Sequence, residues 1–235
     1  MHNFAPIAKE VDRDSQMHIP EHRSVVVKKP WGNEFLVYEN ENLGIWCLTV
    51  DPERRTSLHC HPKKNTGFVV LNGSVCLQFL RGEMRLSGLD KIQIFRGRFH
   101  STRCISNTSA CIFEIEAPQD KYDLVRLEDD YGRAHSIYEN SSSYLPRDGD
   151  HLWIENGIEY TFQGCRLKIT SVTKHELMTC PDHEITIFLR GGVYHDDTAG
   201  DILQPGDVVT GDIMKVLAKA FLIRDDTEIL RIWRS

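Results

Sequence analysis

Apolar and polar residues alternate in short runs over residues 23–132, and no long stretch follows the 3.6-residue period of a helix. The runs are rich in Val, Ile, Leu and Phe, and Gly, Asn, Asp or Pro separates them, which is typical of strands joined by turns. Many short strands at this spacing indicate an all-β sandwich or barrel. The predicted strands are Ser24–Lys28, Glu34–Tyr38, Gly44–Val50, Gly67–Leu71, Ser74–Leu80, Lys91–Phe95 and Cys111–Glu116.

One turn has a specific local signal. Asn72-Gly73 lies between two of the predicted strands. This dipeptide readily takes the positive φ angles of a tight hairpin turn. We therefore expect the two strands to form a hairpin.

A second strand-rich region follows residues 134–150, which lose the alternation and which we interpret as a connector. ITIFLRGG from Ile185 parallels GFVVLNGS from Gly67, and LQPGDVV from Leu203 parallels IFRGRFH from Ile94. This weak repeat predicts two tandem barrels, the second over residues 151–235. There, CRLKITSVTKHEL from Cys165 has a β-rich pattern, and only Asp212–Lys219 is compatible with a helix. Residues 1–22 are polar and mixed, and they predict an N-terminal arm, disordered or laid across a partner subunit.

Composition and charge narrow the classes of function. The net charge is −6 with no dominant basic patch, so we expect no nucleic-acid partner. No run of about 18 apolar residues occurs, so we expect no membrane span. The N-terminus has no apolar core of signal-peptide length. Seven cysteines without a C-x-x-C pair predict reduced thiols and a cytoplasmic protein.

The candidate metal ligands are His59, His61 and His100. On a strand, the H-x-H spacing puts the first two imidazoles on one face. Neutral imidazoles are costly to bury without a partner, and a divalent transition metal such as Zn, Fe, Ni or Mn is one natural partner. Three histidines with an open position is the arrangement of a catalytic metal. The H-x-H pattern by itself often occurs by chance. The alternative to a metal site is a hydrogen-bonded histidine pocket that holds a sugar or phosphate.

Five longer motifs follow one another along the first half. They are K-P-W-G at Lys29–Gly32, S-L-H-C-H-P at Ser57–Pro62, the turn at Gly73, R-G-R-F-H at Arg96–His100 and L-V-R-L-E-D-D-Y-G-R at Leu124–Arg133. Their order and spacing resemble the cupin domain of sugar-processing cupins, which include type II phosphomannose isomerase and the cupin region of GDP-mannose pyrophosphorylase. The resemblance implies a cupin jelly-roll barrel over residues 23–133, a bound metal, a homodimer, and a sugar phosphate or nucleotide sugar as ligand.

The chain departs from the motif that this resemblance implies. The family has a glutamate seven residues before the turn glycine, and Thr66 occupies that position here. The fourth ligand of many cupins is therefore missing. In the second half, Leu177 and Thr179 stand at the positions of the two histidines, so we expect no metal there. For the second barrel we therefore expect a role in packing, in dimer formation or in shielding the first site. His175, His183 and His195 have no matching spacing and are interpreted as surface residues.

Glu114 and Glu116 are the candidate acid–base residues, because they alternate with Phe113 and Ile115 on one predicted strand. They are either a solvent-facing pair on the outer sheet face or proton-transfer groups at the barrel mouth. Aldose–ketose interconversion and epimerisation both need a base next to a carbonyl and an electrophile for the resulting oxyanion.

Lys64 and Arg96 are the candidate substrate-binding residues, since both are able to meet a phosphate. Ordinary surface cations are the alternative interpretation.

Together these features predict a metal-binding isomerase or epimerase of a sugar phosphate or nucleotide sugar, acting in surface-polysaccharide synthesis. The reaction class comes from the resemblance, since one fold hosts many functions. A non-catalytic sugar-binding or assembly cupin and a three-histidine iron dioxygenase are the alternatives.

Overall fold

The computed structural model describes residues 22–133, 143–148, 151–196 and 200–235. The predicted N-terminal arm lies outside the described residues except for His22. The predicted connector lies outside them except for residues 143–148. No helix in the described part of the chain is long and apolar enough to cross a membrane.

Twelve strands are described in the first half, after a short 3₁₀ turn at His22–Ser24. They confirm the all-β prediction, and Gly44–Val50 has the predicted bounds. The strands are β1 (Val25–Lys29), β2 (Gly32–Glu39), β3 (Gly44–Val50), β4 (Leu58–Cys60), β5 (Asn65–Asn72), β6 (Ser74–Phe79), β7 (Glu83–Ser87), β8 (Lys91–Ile94), β9 (His100–Cys104), β10 (Ala110–Ala117), β11 (Val125–Glu128) and β12 (Tyr144–Pro146).

These strands form two antiparallel sheets that face each other. The first sheet has the order β12-β1-β2-β3-β10-β5-β8, and the second has the order β11-β4-β9-β6-β7. Alternate residues of both sheets point inward, among them Leu36, Trp46, Val70 and Leu77, and these side chains pack into one apolar core. The result is the expected jelly-roll barrel, and its interior holds the three candidate metal ligands, His59, His61 and His100.

The turn at Gly73 differs from the predicted hairpin. Gly73 has the expected positive φ, +79°. However, β5 pairs with β10 and β8 in the first sheet, whereas β6 pairs with β7 and β9 in the second. The hairpin prediction is wrong because the turn carries the chain from one sheet to the other. A Cβ on Gly73 would lie 2.9 Å from the Cα of Ala110, so glycine is required here by a close approach as well as by its φ angle.

The second half contains two further sheets, with the orders β13-β14-β20-β15-β18 and β17-β16-β19. Its described elements are β13 (Glu159–Phe162), β14 (Cys165–Ser171), α1 (Lys174–Thr179), β15 (Ile185–Arg190), β16 (Val193–Tyr194), β17 (Asp201–Leu203), β18 (Val208–Thr210), α2 (Gly211–Ala220), β19 (Leu222–Ile223) and β20 (Glu228–Arg234).

The two halves share a core. Ile185, Ile187 and Leu189 on β15 pack with Phe113 and Ile115 on β10, in a cluster that covers the outer face of the seven-stranded sheet. The opposite face of β15 carries Phe188, which packs with both helices and the three-stranded sheet. The second half is β-rich as predicted and packs against the first barrel, but a second closed barrel is not confirmed.

Helix α2, Gly211–Ala220, confirms the predicted helix at Asp212–Lys219. Helix α1 occupies Lys174–Thr179, where a continuation of the preceding β pattern was expected. A capping box explains the difference, because the Glu176 backbone N–H donates to Thr173 Oγ1 at 3.3 Å and the Thr173 N–H donates to Glu176 Oε2 at 2.7 Å. The β prediction holds only for Cys165–Ser171.

All seven cysteines are free and buried, as the odd count and missing C-x-x-C pair predicted. Cys60, between the two histidines of the H-x-H motif, is buried, and strand alternation places its side chain on the opposite face from theirs. His175, His183 and His195 are exposed, which confirms their interpretation as surface residues.

Candidate metal centre

His59, His61 and His100 converge inside the first barrel. His59 lies on β4 directly opposite His100 on β9, and His61 follows β4 on the same face as His59. The ring centroids are 4.6 Å apart for His59 and His100, 5.0 Å for His59 and His61, and 5.5 Å for His61 and His100. One ring nitrogen from each residue lies within 4.8 Å of the other two, so the predicted cluster exists.

Backbone carbonyls determine the tautomer of all three rings. The Nδ1–H of His59 donates to Ser57 O at 2.8 Å, that of His61 to Asp123 O at 2.6 Å, and that of His100 to Arg98 O at 3.0 Å. A carbonyl oxygen only accepts, so the proton of each neutral ring is on Nδ1 and the lone pair is on Nε2. The Nε2 atoms of His61 and His100 are buried and have no hydrogen-bond partner among the described residues.

Burial keeps these rings neutral. It lowers the pKa of His100 to about 4, and it holds the pKa values of His59 and His61 well below their ordinary value. A neutral imidazole whose Nδ1–H is bonded to the backbone is the form in which histidine ligates a metal. The three residues therefore fit a divalent transition metal, with Nε2 as the donor atom.

Thr66, which stands where the family glutamate was expected, is buried on β5 opposite Glu116 of β10. Its Oγ1 has no hydrogen-bond partner among the described residues. Within the described part of the chain, no carboxylate joins the three histidines closely enough to count as a fourth member of the group. The candidate site thus has three protein donors and open positions.

His59 and His61 face a small cavity of about 60 Å³ inside the barrel. That volume accommodates a few water molecules. Its lining includes His59, His61, Glu114 and Glu116 together with a set of cations and apolar residues. These are Lys29, Lys64, Lys121, Arg126, Arg133, Trp31, Leu48, Phe68 and Leu124.

Similarity to known families agrees with this geometry. Residues 14–129 match the family model described as mannose-6-phosphate isomerase C-terminal, which spans both sheets of the first barrel and all three histidines. The first barrel is a cupin domain of this family. A search of curated proteins found no match.

Solved structures align with parts of this cupin chain at low identity. KdgF from Halomonas sp. is 16% identical over 43% of this chain and 94% of its own, with a TM-score of 0.39. The capsular polysaccharide assembling protein CapF from Staphylococcus aureus is 19% identical over 45% of this chain, with a TM-score of 0.42, and the aligned part is 34% of CapF. A putative sugar phosphate isomerase from Acidithiobacillus ferrooxidans is 18% identical over 34% of this chain and 52% of its own, with a TM-score of 0.32.

Glu114 and Glu116 point into the cupin barrel. They are 6% and 1% exposed and line the histidine cavity, while Phe113 and Ile115 point to the core shared with the second half. The solvent-facing interpretation is therefore wrong. Apolar and carboxylate side chains alternate along this strand as predicted. The polar face is the inside of the barrel, because the second half covers the apolar face.

A chain of buried ion pairs runs behind the histidines of the cupin. Lys29 Nζ lies 3.2 Å from Glu34 Oε1, Glu34 Oε1 lies 3.6 Å from Lys121 Nζ, and Glu116 Oε1 lies 3.0 Å from Lys121 Nζ and 2.9 Å from Lys64 Nζ. All five side chains are at most 7% exposed. Pairing offsets the large cost of removing these charges from water. We call this set the ion-pair chain.

The two glutamates differ electrostatically. Burial raises the pKa of Glu114 to about 7, although Lys121 acts in the opposite direction. Burial also acts to raise the pKa of Glu116, but Lys121 and Lys64 outweigh it and hold this pKa below its ordinary value. Glu116 Oε2 is buried and lacks a hydrogen-bond partner in the described structure.

The structure separates the two predicted substrate-binding cations. Lys64 is 2% exposed, lines the histidine cavity and donates to Asp120 O at 2.8 Å as well as pairing with Glu116. Arg96 is exposed and lines a different cavity, between the two halves of the chain. Lys64 and Arg96 are therefore not placed to bind the same phosphate group.

Sequence reasoning missed Lys29, Glu34 and Lys121 as members of the cavity. Lys121 lies in the loop between β10 and β11, and its Nζ is 3.7 Å from the centroid of the Trp46 ring. The burial of Lys29 and Glu34 was not predicted from the sequence, because the other residues of their strands have the pattern of ordinary surface and core positions. One signal was present: a lysine in K-P-W-G and a glutamate five positions later fall on adjacent strands joined by a short turn.

Proposed function

We propose that the first barrel, residues 23–133, is a metal-binding cupin that isomerises or epimerises an anionic sugar derivative, either a sugar phosphate or a nucleotide sugar. The observation that carries the proposal is the contact of each histidine Nδ1 with a backbone carbonyl oxygen, in three rings that converge on one another. Each Nδ1–H is bonded to a backbone carbonyl, so three Nε2 lone pairs are directed into one buried space. A bound divalent metal would polarise a substrate carbonyl and stabilise the oxyanion formed from it.

Glu114 is the proposed proton-transfer residue. It lines the same cavity as His59 and His61. A carboxyl group with a pKa of about 7 exchanges its proton readily near neutral pH, which is where general acid–base catalysis is most efficient. Its carboxylate would take the proton from the carbon next to the substrate carbonyl and return it to the former carbonyl carbon, while the hydroxyl proton moves to the former carbonyl oxygen. Epimerisation would instead need a second acid, on the face opposite Glu114, to protonate the same carbon.

Glu116 has a different proposed role, because Lys64 and Lys121 keep it ionised. Its unpartnered Oε2 is an acceptor for a substrate hydroxyl. The described lining has an excess of positive charge, which favours an anionic substrate: five cations, Lys29, Lys64, Lys121, Arg126 and Arg133, stand against three carboxylates, Glu34, Glu114 and Glu116. The homodimer, the metal identity and a role in surface-polysaccharide synthesis stay predictions.

The first experiment tests the metal. Protein purified without a histidine tag is analysed by inductively coupled plasma mass spectrometry after incubation with Zn, Fe, Ni or Mn ions. We expect about one ion per chain, lost in His61→Ala and His100→Ala and kept in His175→Ala, which removes an exposed histidine. If the wild type holds no stoichiometric metal and binds none of these ions, the proposal fails.

The second experiment tests the reaction. Mannose 6-phosphate and other hexose phosphates or nucleotide sugars are incubated with the metal-loaded protein in deuterated water, and deuterium incorporation next to the carbonyl is followed by NMR. We expect exchange in the wild type and its loss in Glu114→Gln, with metal content unchanged. Exchange that persists in Glu114→Gln contradicts the assigned role.

A non-catalytic sugar-binding cupin is the second candidate. The observation that favours it is Thr66, because a threonine supplies neither the fourth ligand nor the base that the glutamate expected at this position would supply. This candidate predicts saturable sugar binding without deuterium exchange. Oxygen consumption by the Fe(II)-loaded protein would instead indicate the iron dioxygenase.

A further inference from the structure

A second cavity, of about 680 Å³, lies between the two halves of the chain. One wall comes from the first barrel and includes Lys63, Asn65 and Arg96, and the opposite wall is the turn at 204–207. None of the described residues lines both this cavity and the histidine cavity. Its volume is within the usual range for small-molecule sites. We call it the interhalf groove.

Both walls of the groove are held in place. The Gly206 N–H donates to Phe188 O at 2.8 Å, and the Gln204 N–H donates to Asp207 Oδ2 at 2.9 Å. On the other side, the Arg96 N–H donates to Asn65 Oδ1 at 3.1 Å. A Cβ on Gly206 would lie 2.4 Å from the Cβ of Ala117, so the two walls meet in tight contact at the bottom of the groove. The groove is therefore formed before any ligand binds.

The groove has cations that are not neutralised. Lys63 and Arg96 are exposed, and the side chain of neither makes an ion pair or hydrogen bond with a described residue. Of the two carboxylates of the lining, Glu41 pairs with Arg190 at 2.7 Å, whereas Asp207, on the opposite wall, accepts a hydrogen bond from the backbone of Gln204 and has no cationic partner among the described residues. Two free cations on one wall favour an anionic group, and an arginine binds phosphate or carboxylate at two points.

The neutral part of the lining suits a hydroxylated ligand. Gln93 lines the groove, and its side chain makes no hydrogen bond with a described residue. An amide in the wall of a cavity is able to donate to, or accept from, a ligand hydroxyl. Phe95 is 57% exposed beside it and offers a flat apolar surface for a ring. The lining thus combines a charged end, an amide and an aromatic face.

We propose that the interhalf groove binds a sugar carrying a phosphate or a carboxylate, with Lys63 and Arg96 on the anionic group and Gln93 on a hydroxyl. The site is separate from the histidine centre and does not depend on the function proposed for it. Side-chain alternation along one segment separates the two sites, since Lys64 points into the barrel while its neighbours Lys63 and Asn65 line the groove.

The test is isothermal titration calorimetry of the full chain with mannose 6-phosphate and with glucuronate, and with neutral mannose as the uncharged control. Titrations are repeated on Lys63→Gln/Arg96→Gln, on Gln93→Met and on His61→Gln. The matched control is Arg81→Gln/Lys219→Gln, which removes two exposed cations elsewhere. Circular dichroism melting confirms that each variant is folded.

We expect at least one anionic sugar to bind, and the better of the two identifies the anionic group. Its affinity should fall on the order of tenfold or more in Lys63→Gln/Arg96→Gln and several-fold in Gln93→Met. It should be unchanged in the matched control, and a binding event should persist in His61→Gln. The proposal is overturned if neither sugar binds, if the groove variants bind like the wild type, or if His61→Gln abolishes all binding.

Discussion

Glu114 and Glu116 are two residues apart on β10 and face the same cavity, yet their surroundings change the pKa of the two carboxyl groups in opposite directions. Glu116 Oε1 is within 3.0 Å of two lysine ammonium groups. Glu114 has no ion pair of this length with a described residue, and burial dominates its pKa. A buried carboxylate without a close partner destabilises the folded state, whereas a carboxylate that neutralises two buried lysines stabilises it.

Glu114→Gln should therefore stabilise the protein at high pH. The pKa of Glu114 is raised from 4.5 to about 7 on folding, so the unfolded chain releases its proton first and stability falls as pH rises through this window. The variant should flatten that fall and gain up to about 3 kcal/mol at pH 8. Urea unfolding at pH 4.5, 6 and 8 measures this. An equal change at all three pH values would contradict the raised pKa.

Glu116→Gln should have the opposite effect. It leaves Lys64 and Lys121 buried beside a neutral amide, and breaking such a buried pair costs about 3–5 kcal/mol. Urea unfolding at pH 8 measures the loss, with the exposed Glu83→Gln as control. A loss below about 1 kcal/mol would show that the ion-pair chain contributes little to stability.

Among the secondary-structure elements, helix caps and turn glycines were the local sequence features that predicted the backbone conformation. T-K-H-E at Thr173–Glu176 is a capping-box sequence, and it starts α1 although the preceding residues have a β pattern. Gly73 of the Asn72-Gly73 turn likewise has the positive φ angle that was expected. Neither signal says which sheet the flanking strands join, and that choice depends on pairing partners far away in the sequence.

Thr173→Ala should destabilise the protein by about 1 kcal/mol, because the first turn of α1 loses its side-chain acceptor. Thr179→Ala is the matched control, since its hydroxyl bonds back to His175 O within the same helix and caps no free N–H group. Thermal unfolding compares the two. Equal shifts in Tm would show that the capping box does not stabilise α1.

At the scale of the whole molecule, the seven-stranded sheet is packed on both faces. Its inner face forms the barrel core, and its outer face packs against β14, β15 and β20 of the second half. The second half therefore covers the apolar side of β10, and this leaves Glu114 and Glu116 on the barrel side. It also builds the second wall of the interhalf groove.

The shared core predicts that both halves unfold together. Ile187→Ala, in this core and 0% exposed, should cost about 2–5 kcal/mol and lower one common transition. Ile213→Ala, 46% exposed on α2, should change stability little. Differential scanning calorimetry gives the number of transitions. Two separate transitions, with Ile187→Ala affecting only one, would contradict a common core.

Local alternation, turn chemistry and motif spacing were enough to predict the β-rich character, helix α2 and the three histidines, and the resemblance of the motifs implied the cupin barrel of the first half. These features depend on chemistry that acts over a few residues. The folded arrangement was needed to show which face of β10 is interior, which lysines neutralise Glu116, and that Lys64 and Arg96 belong to different cavities. Those outcomes depend on contacts between distant segments, such as Lys121 with Glu34 and β15 with β10, and on burial, which changes the pKa of a side chain without changing its type.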